Sequence, residues 1–564
     1  VVTQFVPLPR DTTDPTDPTD PSLERIMNQP SHSLRHPLAS PSQTWSFWCA
    51  AMLTVAAVAA GDESDYWRFI DVPEPEGVAH EVGGILPLGG GRVMTSTRRG
   101  DVWIIENAYD PAPTIAVVAG SPEDEATTND PHRVRFIKYT DGLQEPLGLA
   151  VHPIDDAKRR AAIAAGKSWN GPVYVAQRGE VSRMEDENGD WRADRIETIC
   201  DDWAISGNYH EYTFGPVFEE DGDLWITLNR PFGSEPFGKK DWRGWAMRID
   251  SDGVMHPEAA GLRSPCGVAM GPDANLYYTD NQGEWCGASK MSIIERGDFH
   301  GHPWGIASTK RPESLVEFPG EIPDGIPMPE AANRIPNFKM PVVWFPYDKC
   351  GKSPGEVLWD TEGTLGPFFK GQAFMGDQHH AAVYRIFTEE VNGHIQGAVF
   401  PFRNGFECGI IRVQLGEDGS LIAGMTNRGW GSKGNRPYGM QRLEWTGETP
   451  FEIRTMEATP EGFRLTFTRP ADPATASEPS NYSMKSYTYL LHSPYGSPET
   501  NTAPVTVKLA QISGDNLTVN LICEPLRAGY VHELRLDGVR DEAGEPLLHP
   551  DAYYTLIEIP KAGE

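Results

Sequence analysis

The residues of this chain with chemical potential stand in short polar stretches flanking apolar ones. In "SGNYHEYTFGPVFEEDGDLWITLNR" (206–230), His210 precedes one apolar run, and Asn229 and Arg230 follow the next. In "LRSPCGVAMGPDANLYYTDNQGEW" (262–285), Arg263 takes the first position, and Asp280, Asn281, Gln282 and Gly283 take the second. Arg98 and Arg99, Gln177 and Arg178, Asp377 to His380, and Asn427, Arg428 and Trp430 also follow apolar runs. Gln144, Glu145 and Glu407 precede such runs. A neutral imidazole takes a proton from a hydroxyl, and guanidinium forks hold carboxylates or phosphates bidentately. These types predict a funnel for an anionic ligand, with His210 as base.

Other stretches carry other chemistry. In "DENGDWRADRIE", Asp186, Asn188, Asp190, Asp194 and Glu197 stand at positions 1, 3, 5, 9 and 12 of a calcium-loop spacing. Alternating hard oxygen ligands let a short loop wrap one ion. Trp191 stands where the sharp-turn glycine belongs, so an acidic hairpin turn is the other reading. "GDFHGHPWG" carries His300 and His302, and "YDKCGKSPGE" sets Lys349 and Lys352 around Cys350.

Scattered residues of this kind need a scaffold that gathers them, and the repeats supply one. "GILPLGGGRVMTSTRRGDVWII", "YTFGPVFEEDGDLWITLNR", "GVAMGPDANLYYTDN" and "GIIRVQLGEDGSLIAGMTNRGW" each read as strand, Gly/Asp turn, strand. Related units begin at Leu147 and near Gly355. About six such units with no helical stretch between them predict an all-β, six-bladed propeller over 61–449; stacked sandwiches are the structural alternative. In a propeller, the turns into each first strand and out of each second strand meet on one face. The polar residues of the first group, from Arg98 to Trp430, fall on such turns. From 450 to 564, alternating strands such as "FRLTFTRP" and "NLTVNLICEPL" predict a C-terminal Ig-like β-sandwich.

Composition bounds the remainder. The net charge of -31 over 564 residues excludes a nucleic-acid partner. "DTTDPTDPTDP" is low-complexity. Arg35 and His36 precede an apolar run ending in small residues, so 1–60 reads as a leader with a signal peptide cleaved near Ala60. That predicts a secreted or periplasmic protein with no stable membrane span; an uncleaved anchor is the alternative. Six cysteines then remain, and Cys266 with Cys286 is the expected disulfide pair. No C-x-x-C-H occurs, so no covalent haem is expected.

"YHEYTFGPVFEEDGDLWITLN", "LRSPCGVAMGPDANLYYTDNQGEW" and "SIIERGDFHGHPWG" resemble the glucose/sorbosone dehydrogenase family, six-bladed relatives of soluble quinoprotein glucose dehydrogenase. "ENGDWRAD", "VNGHIQGAVFPF" and "TNRGWGSKG" are similar to large exported planctomycete-type proteins in which such a propeller joins a haem-binding domain. The resemblance implies pyrroloquinoline quinone and calcium on the propeller axis, a sugar hydroxyl as substrate, and a separate cytochrome as electron acceptor. It implies His210 as base with Arg263 beside it. It implies Arg263 and Arg428 on cofactor or substrate carboxylates, with Gln282 and Gly283 near the calcium; Arg178, Arg230, Asp280, Asp377 and His379 are expected to line the cofactor from their place on the same face. "EYTFG" replaces the family's Gly-Gly-Arg after the histidine, and "NQGEW" replaces its Gly-Pro loop.

Three functions follow as expectations. The first is an exported dehydrogenase oxidising a sugar or polyol hydroxyl. The second is a non-catalytic glycan- or protein-binding propeller. The third is a calcium-dependent lactonase or hydrolase, with Asp280 and Asp377 holding a metal that activates water.

Overall fold

The computed structural model describes residues 61–232 and 241–562. The expected leader and signal peptide lie outside the described residues. Strands dominate. The longest helix, Pro153–Ala164, is an insertion that the repeat reading did not anticipate; it lies on the Val82–Gly89 strand, where Arg159 Nη1 donates to the Pro87 carbonyl at 2.7 Å. No helix among the described residues is long and apolar enough to cross a membrane.

Five sheets of four or five strands stand as separate blades, and this corrects the expected count of six. The unit starting at Pro354 does not end as a blade. Its strands Pro354–Trp359, Ala373–Asp377, Ala382–Val391 and His394–Arg403 continue through Asp551–Leu556 into the C-terminal strands, giving one eleven-stranded sheet. The C-terminal region is therefore not a detached sandwich. It has its own core around Phe463, Leu465, Leu521 and Leu534, but Ala398 and Phe400 of the propeller strand pack into that core too.

Ring closure uses a strand that the repeats did not reveal. Trp67–Val72 pairs antiparallel with Tyr438–Trp445, so a strand from the start of the described residues forms the outer strand of the sheet built by the last propeller strands. The first strands of the five blades and of the long sheet contact one another in a closed ring. Glycine makes that approach possible. A Cβ on Gly148 would sit 1.9 Å from the Gly215 carbonyl oxygen, and one on Gly267 would sit 2.4 Å from that of Gly355. The strand registers shift at Val82/Gly84, Phe214/Val217, Pro265/Val268, Pro354/Val357 and Ile410/Arg412, and the Gly83 and Cys266 carbonyls lie within two of these breaks.

Arg412 collects those carbonyls. Its guanidinium donates to Gly83 (2.7 Å), Leu147 (2.8 Å) and Cys266 (3.0 Å), one carbonyl from each of three segments, and to Ile411 (2.9 Å). The axial space beside it, lined also by Glu356, measures about 20 Å³. The middle of the propeller is thus plugged.

Candidate functional site

His210 sits on the turn leading into the Thr213–Phe218 strand. Asn208 shapes that turn: its Oδ1 accepts the N–H of His210 (3.0 Å) and of Phe232 (3.1 Å). The imidazole is buried, and its Nδ1 lies 2.6 Å from the Arg230 carbonyl. A carbonyl only accepts, so Nδ1 carries the proton and Nε2 carries the lone pair. The Ser264 hydroxyl donates to that lone pair at 2.8 Å. Phe232 stacks on the ring, with centroids 3.5 Å apart at 17°. Burial first, then the positive charge of Arg263, hold His210 well below the ordinary imidazole range. His210 is therefore a neutral, fixed acceptor.

The arginines form two triads around it. Arg230 Nη2 donates to Glu284 Oε2 at 2.6 Å, and Arg263 donates to the same oxygen through Nη2 at 3.1 Å and Nε at 3.2 Å. On the other side, Arg98 and Arg178 share Glu145, Arg98 at 2.5 Å, and both guanidiniums lie over the Tyr212 ring. The forks expected to be open to a ligand thus already hold internal glutamates. Each pair of arginines shares a single carboxylate, so each triad keeps one positive charge. Burial raises the Glu284 pKa, but Arg263 and Arg230 outweigh it and leave the carboxyl below its ordinary range.

Asp280 and Asp377 do different work from that expected. Asp280 is buried and accepts the backbone N–H of Arg263 (3.0 Å) and Ser264 (2.7 Å). Asp377 does the same for Lys352 (2.6 Å) and Ser353 (2.8 Å), and also for His380 (2.7 Å). In each sheet a carboxylate at the end of the second strand braces the turn into the first. Neither residue belongs to a group of described residues that brings three ligand atoms within 4.8 Å of one another.

The remaining expected residues divide similarly. Arg428 directs its side chain to solvent, while its carbonyl accepts from Arg98 (2.8 Å) and Gln378 (3.1 Å). His379 lies 2.7 Å from the Gly431 carbonyl through Nδ1. Gln282 donates to the Gly287 carbonyl at 3.1 Å, and the Gly283 carbonyl accepts the N–H of Gly496 at 3.1 Å. That second partner comes from the C-terminal region, whose Tyr495 ring lies 5.2 Å from the Arg263 guanidinium. The Gly283 carbonyl, which also accepts the Cys286 N–H at 3.2 Å, and the Glu284 carboxylate, held by two arginines, already have partners and do not fit calcium.

In the predicted calcium loop, Asp186, Asn188 and Asp194 converge: the Asn188 N–H lies 3.2 Å from Asp186 Oδ1 and 3.2 Å from Asp194 Oδ2, and its side-chain amide donates to Asp194 Oδ1 at 3.0 Å. Asp186 accepts the N–H of Gly189 and Trp191, each at 2.7 Å, and Asp194 accepts that of Glu187 at 2.9 Å. Glu197 lies in the Arg195–Cys200 strand and pairs with Arg195. Among the described residues, the groups that bring three ligand atoms within 4.8 Å of one another lie elsewhere. Trp191, which stands where the sharp-turn glycine belongs, takes the left-handed region at φ 66°. The six cysteines, Cys266 and Cys286 included, are buried and unbonded, which corrects the expected disulfide.

Ser264, Glu284, Phe232 and Tyr495 escaped the sequence reading. Ser264 lies inside the motif that pointed to Arg263, and a hydroxyl beside an arginine was the available signal. Tyr495 had none, since only the tertiary fold brings it to this face.

No family model and no curated protein matches the chain. Solved structures do. They include an oxidoreductase (glucose dehydrogenase) from Thermus thermophilus, at 17% identity and TM-score 0.44, covering 67% of this chain and 99% of that one. The PQQ-bound aldose sugar dehydrogenase from Streptomyces coelicolor aligns at 15% identity and TM-score 0.41, covering 67% and 98%. The apo soluble aldose sugar dehydrogenase from Escherichia coli aligns at 15% and 0.42, covering 68% and 100%. At such values the functional reading rests on this chain's own residues.

Proposed function

We propose that this chain is an exported oxidoreductase that removes the hydroxyl proton and the carbon-bound hydride of a sugar or polyol. The observation that carries the proposal is the fixed tautomer of His210. Its Nδ1–H is committed to the Arg230 carbonyl, so Nε2 is the basic nitrogen, and Ser264 O–H occupies the position where a substrate hydroxyl would donate. Displacement of Ser264 by the substrate aligns an O–H with a base that stays neutral through physiological pH. Arg230 and Arg263 beside it would stabilise the oxyanion as the proton leaves.

No side chain of the site accepts a hydride. A quinone bound there would supply that acceptor. Its carboxylates fit the residual positive charge of the triads, with Arg178, Arg230 and Arg263 as the holding groups. A separate cytochrome would take the electrons onward. Export rests on the leader and signal pattern of residues 1–60.

The test is dye reduction by the purified chain over a sugar panel, with and without the quinone. Turnover that disappears in His210→Ala at unchanged melting temperature supports the assignment. Absence of both quinone binding and turnover overturns it. A second reading, a glycan-binding propeller, is favoured by Tyr209 and Tyr495, which are 61% and 52% exposed beside His210 and Arg263. Saturable sugar binding without dye reduction would select it.

A further inference from the structure

A second cluster lies where the loop after the Val343–Phe345 strand meets the end of Ala373–Asp377. Asp348 comes from the loop, and His379 and His380 come from the strand end. One ligand atom from each lies within 4.8 Å of the other two. We propose that these three residues form a binding site for a first-row transition-metal dication of the zinc type.

The ligand set decides the class of ion. Two imidazoles and one carboxylate suit zinc and its neighbours, whereas calcium and magnesium favour all-oxygen shells. Three protein ligands on an open surface are the pattern of sites that keep a coordination position for water or substrate. The Asp348 side chain is 55% exposed and that of His380 only 5%, so the cluster has a fixed floor and an open top.

The surroundings orient the ligands as metal sites require. His379 Nδ1–H donates to the Gly431 carbonyl at 2.7 Å, which leaves Nε2 as its lone-pair nitrogen. His380 Nδ1 lies 2.6 Å from the Tyr384 hydroxyl, and its Nε2 faces Asp348 Oδ1 at 3.2 Å. Asp377 ties the two ligand-bearing segments together, because it accepts backbone N–H groups from His380 and from Lys352 and Ser353. Asp348 itself takes a left-handed backbone, φ 63°, with its N–H on the Gly351 carbonyl at 3.1 Å. Lys352 Nζ pairs with Asp348 at 3.0 Å and is the internal cation that an arriving metal displaces.

The site adjoins the one around His210 without sharing residues with it. Ser289 Oγ accepts the Gln282 N–H at 3.0 Å and donates to the Lys352 carbonyl at 2.9 Å, so one hydroxyl links the two loops.

The test is isothermal titration of the metal-free full chain with zinc chloride, repeated with cobalt(II) to read its visible ligand-field bands. One equivalent is expected to bind, and a large excess of calcium is expected not to compete. His379→Ala and His380→Ala should each weaken binding by at least about tenfold, the scale at which even outer-shell losses register. Asp348→Asn should shift the cobalt spectrum, and Lys352→Met should tighten binding by freeing the carboxylate. Asp190→Asn, in the acidic hairpin, serves as the control and should change nothing. Because His379 is partly exposed, its variant is expected to keep the wild-type melting temperature when metal-free. Zinc binding that His379→Ala and Asp348→Asn both leave unaltered overturns the proposal, as does the absence of one-equivalent binding.

Discussion

Replacing Arg412 with methionine tests how the axis of this propeller is held. The guanidinium, 3% exposed, makes three hydrogen bonds to carbonyls of separate segments, at 2.7, 2.8 and 3.0 Å. Methionine keeps the apolar stem and removes every donor. Hydrogen bonds to a charged group contribute about 1.5–3 kcal/mol each. Part of that returns because the arginine no longer has to be desolvated. Removing one partner of a buried charged network typically costs about 3–5 kcal/mol, so a loss of about 4 kcal/mol is expected. One water cannot replace the side chain, since the three carbonyls all accept and a water has only two donors. Urea denaturation followed by tryptophan fluorescence gives the change in stability, with the slope expected to stay constant. Arg412→Lys should recover only part of the loss, because one ammonium cannot span three strands. A loss below about 1 kcal/mol for Arg412→Met would refute the reasoning, since it would mean the bonds have no net worth.

Three other outcomes are expected. His549 lies between Glu452 (2.5 Å) and Glu63 (2.9 Å); burial lowers its pKa, but the two carboxylates outweigh that and raise it to about 9. The folded value exceeds the unfolded one, so this stability is fully present below about pH 6.5 and is lost as pH rises through 9. The shift corresponds to about 3 kcal/mol, and His549→Gln should cost about that much at pH 6 and far less at pH 10, read by denaturation at both. Glu284→Gln should free the Arg230 and Arg263 forks and raise sulfate affinity about tenfold in a calorimetric titration, the worth of one charge-assisted bond; unchanged affinity would show that Glu284 is not what occupies them. Gly148→Ala should cost several kcal/mol or abolish folding, because its Cβ meets the Gly215 carbonyl. Gly514→Ala, with no atom within 4 Å, should be nearly neutral in the same thermal melt.

The propeller strands were legible because their signal is local. "TFGPVF" and "LWITL" became the paired strands Thr213–Phe218 and Leu224–Leu228 around the "DG" turn, as period and turn chemistry predict. The placement of His210 beside Arg230 and Arg263 followed from the repeat, since equivalent turns meet on one face. The roles of the carboxylates were not legible. Asp280 and Asp377 look like ligands in a sequence, and only the backbone N–H groups aimed at them show that they are braces. In the acidic hairpin, too, the spacing does not show that Asp186 and Asp194 accept the turn's own N–H groups.

Strand periodicity, turn residues and the glycines of the first strands are properties of neighbours along the chain, so the amino-acid sequence alone determined the propeller and the face on which its polar turns gather. Only tertiary structure decided which charges on that face stay uncompensated, because compensation depends on distances between residues far apart in sequence. Glu145 meets Arg98 across 47 positions, and Tyr495 reaches Arg263 from the C-terminal strands. The same holds for the merging of the Pro354–Trp359 sheet with the C-terminal strands. A strand's outer edge pairs with whatever backbone the fold brings to it, and no residue along Pro354–Arg403 specifies that partner.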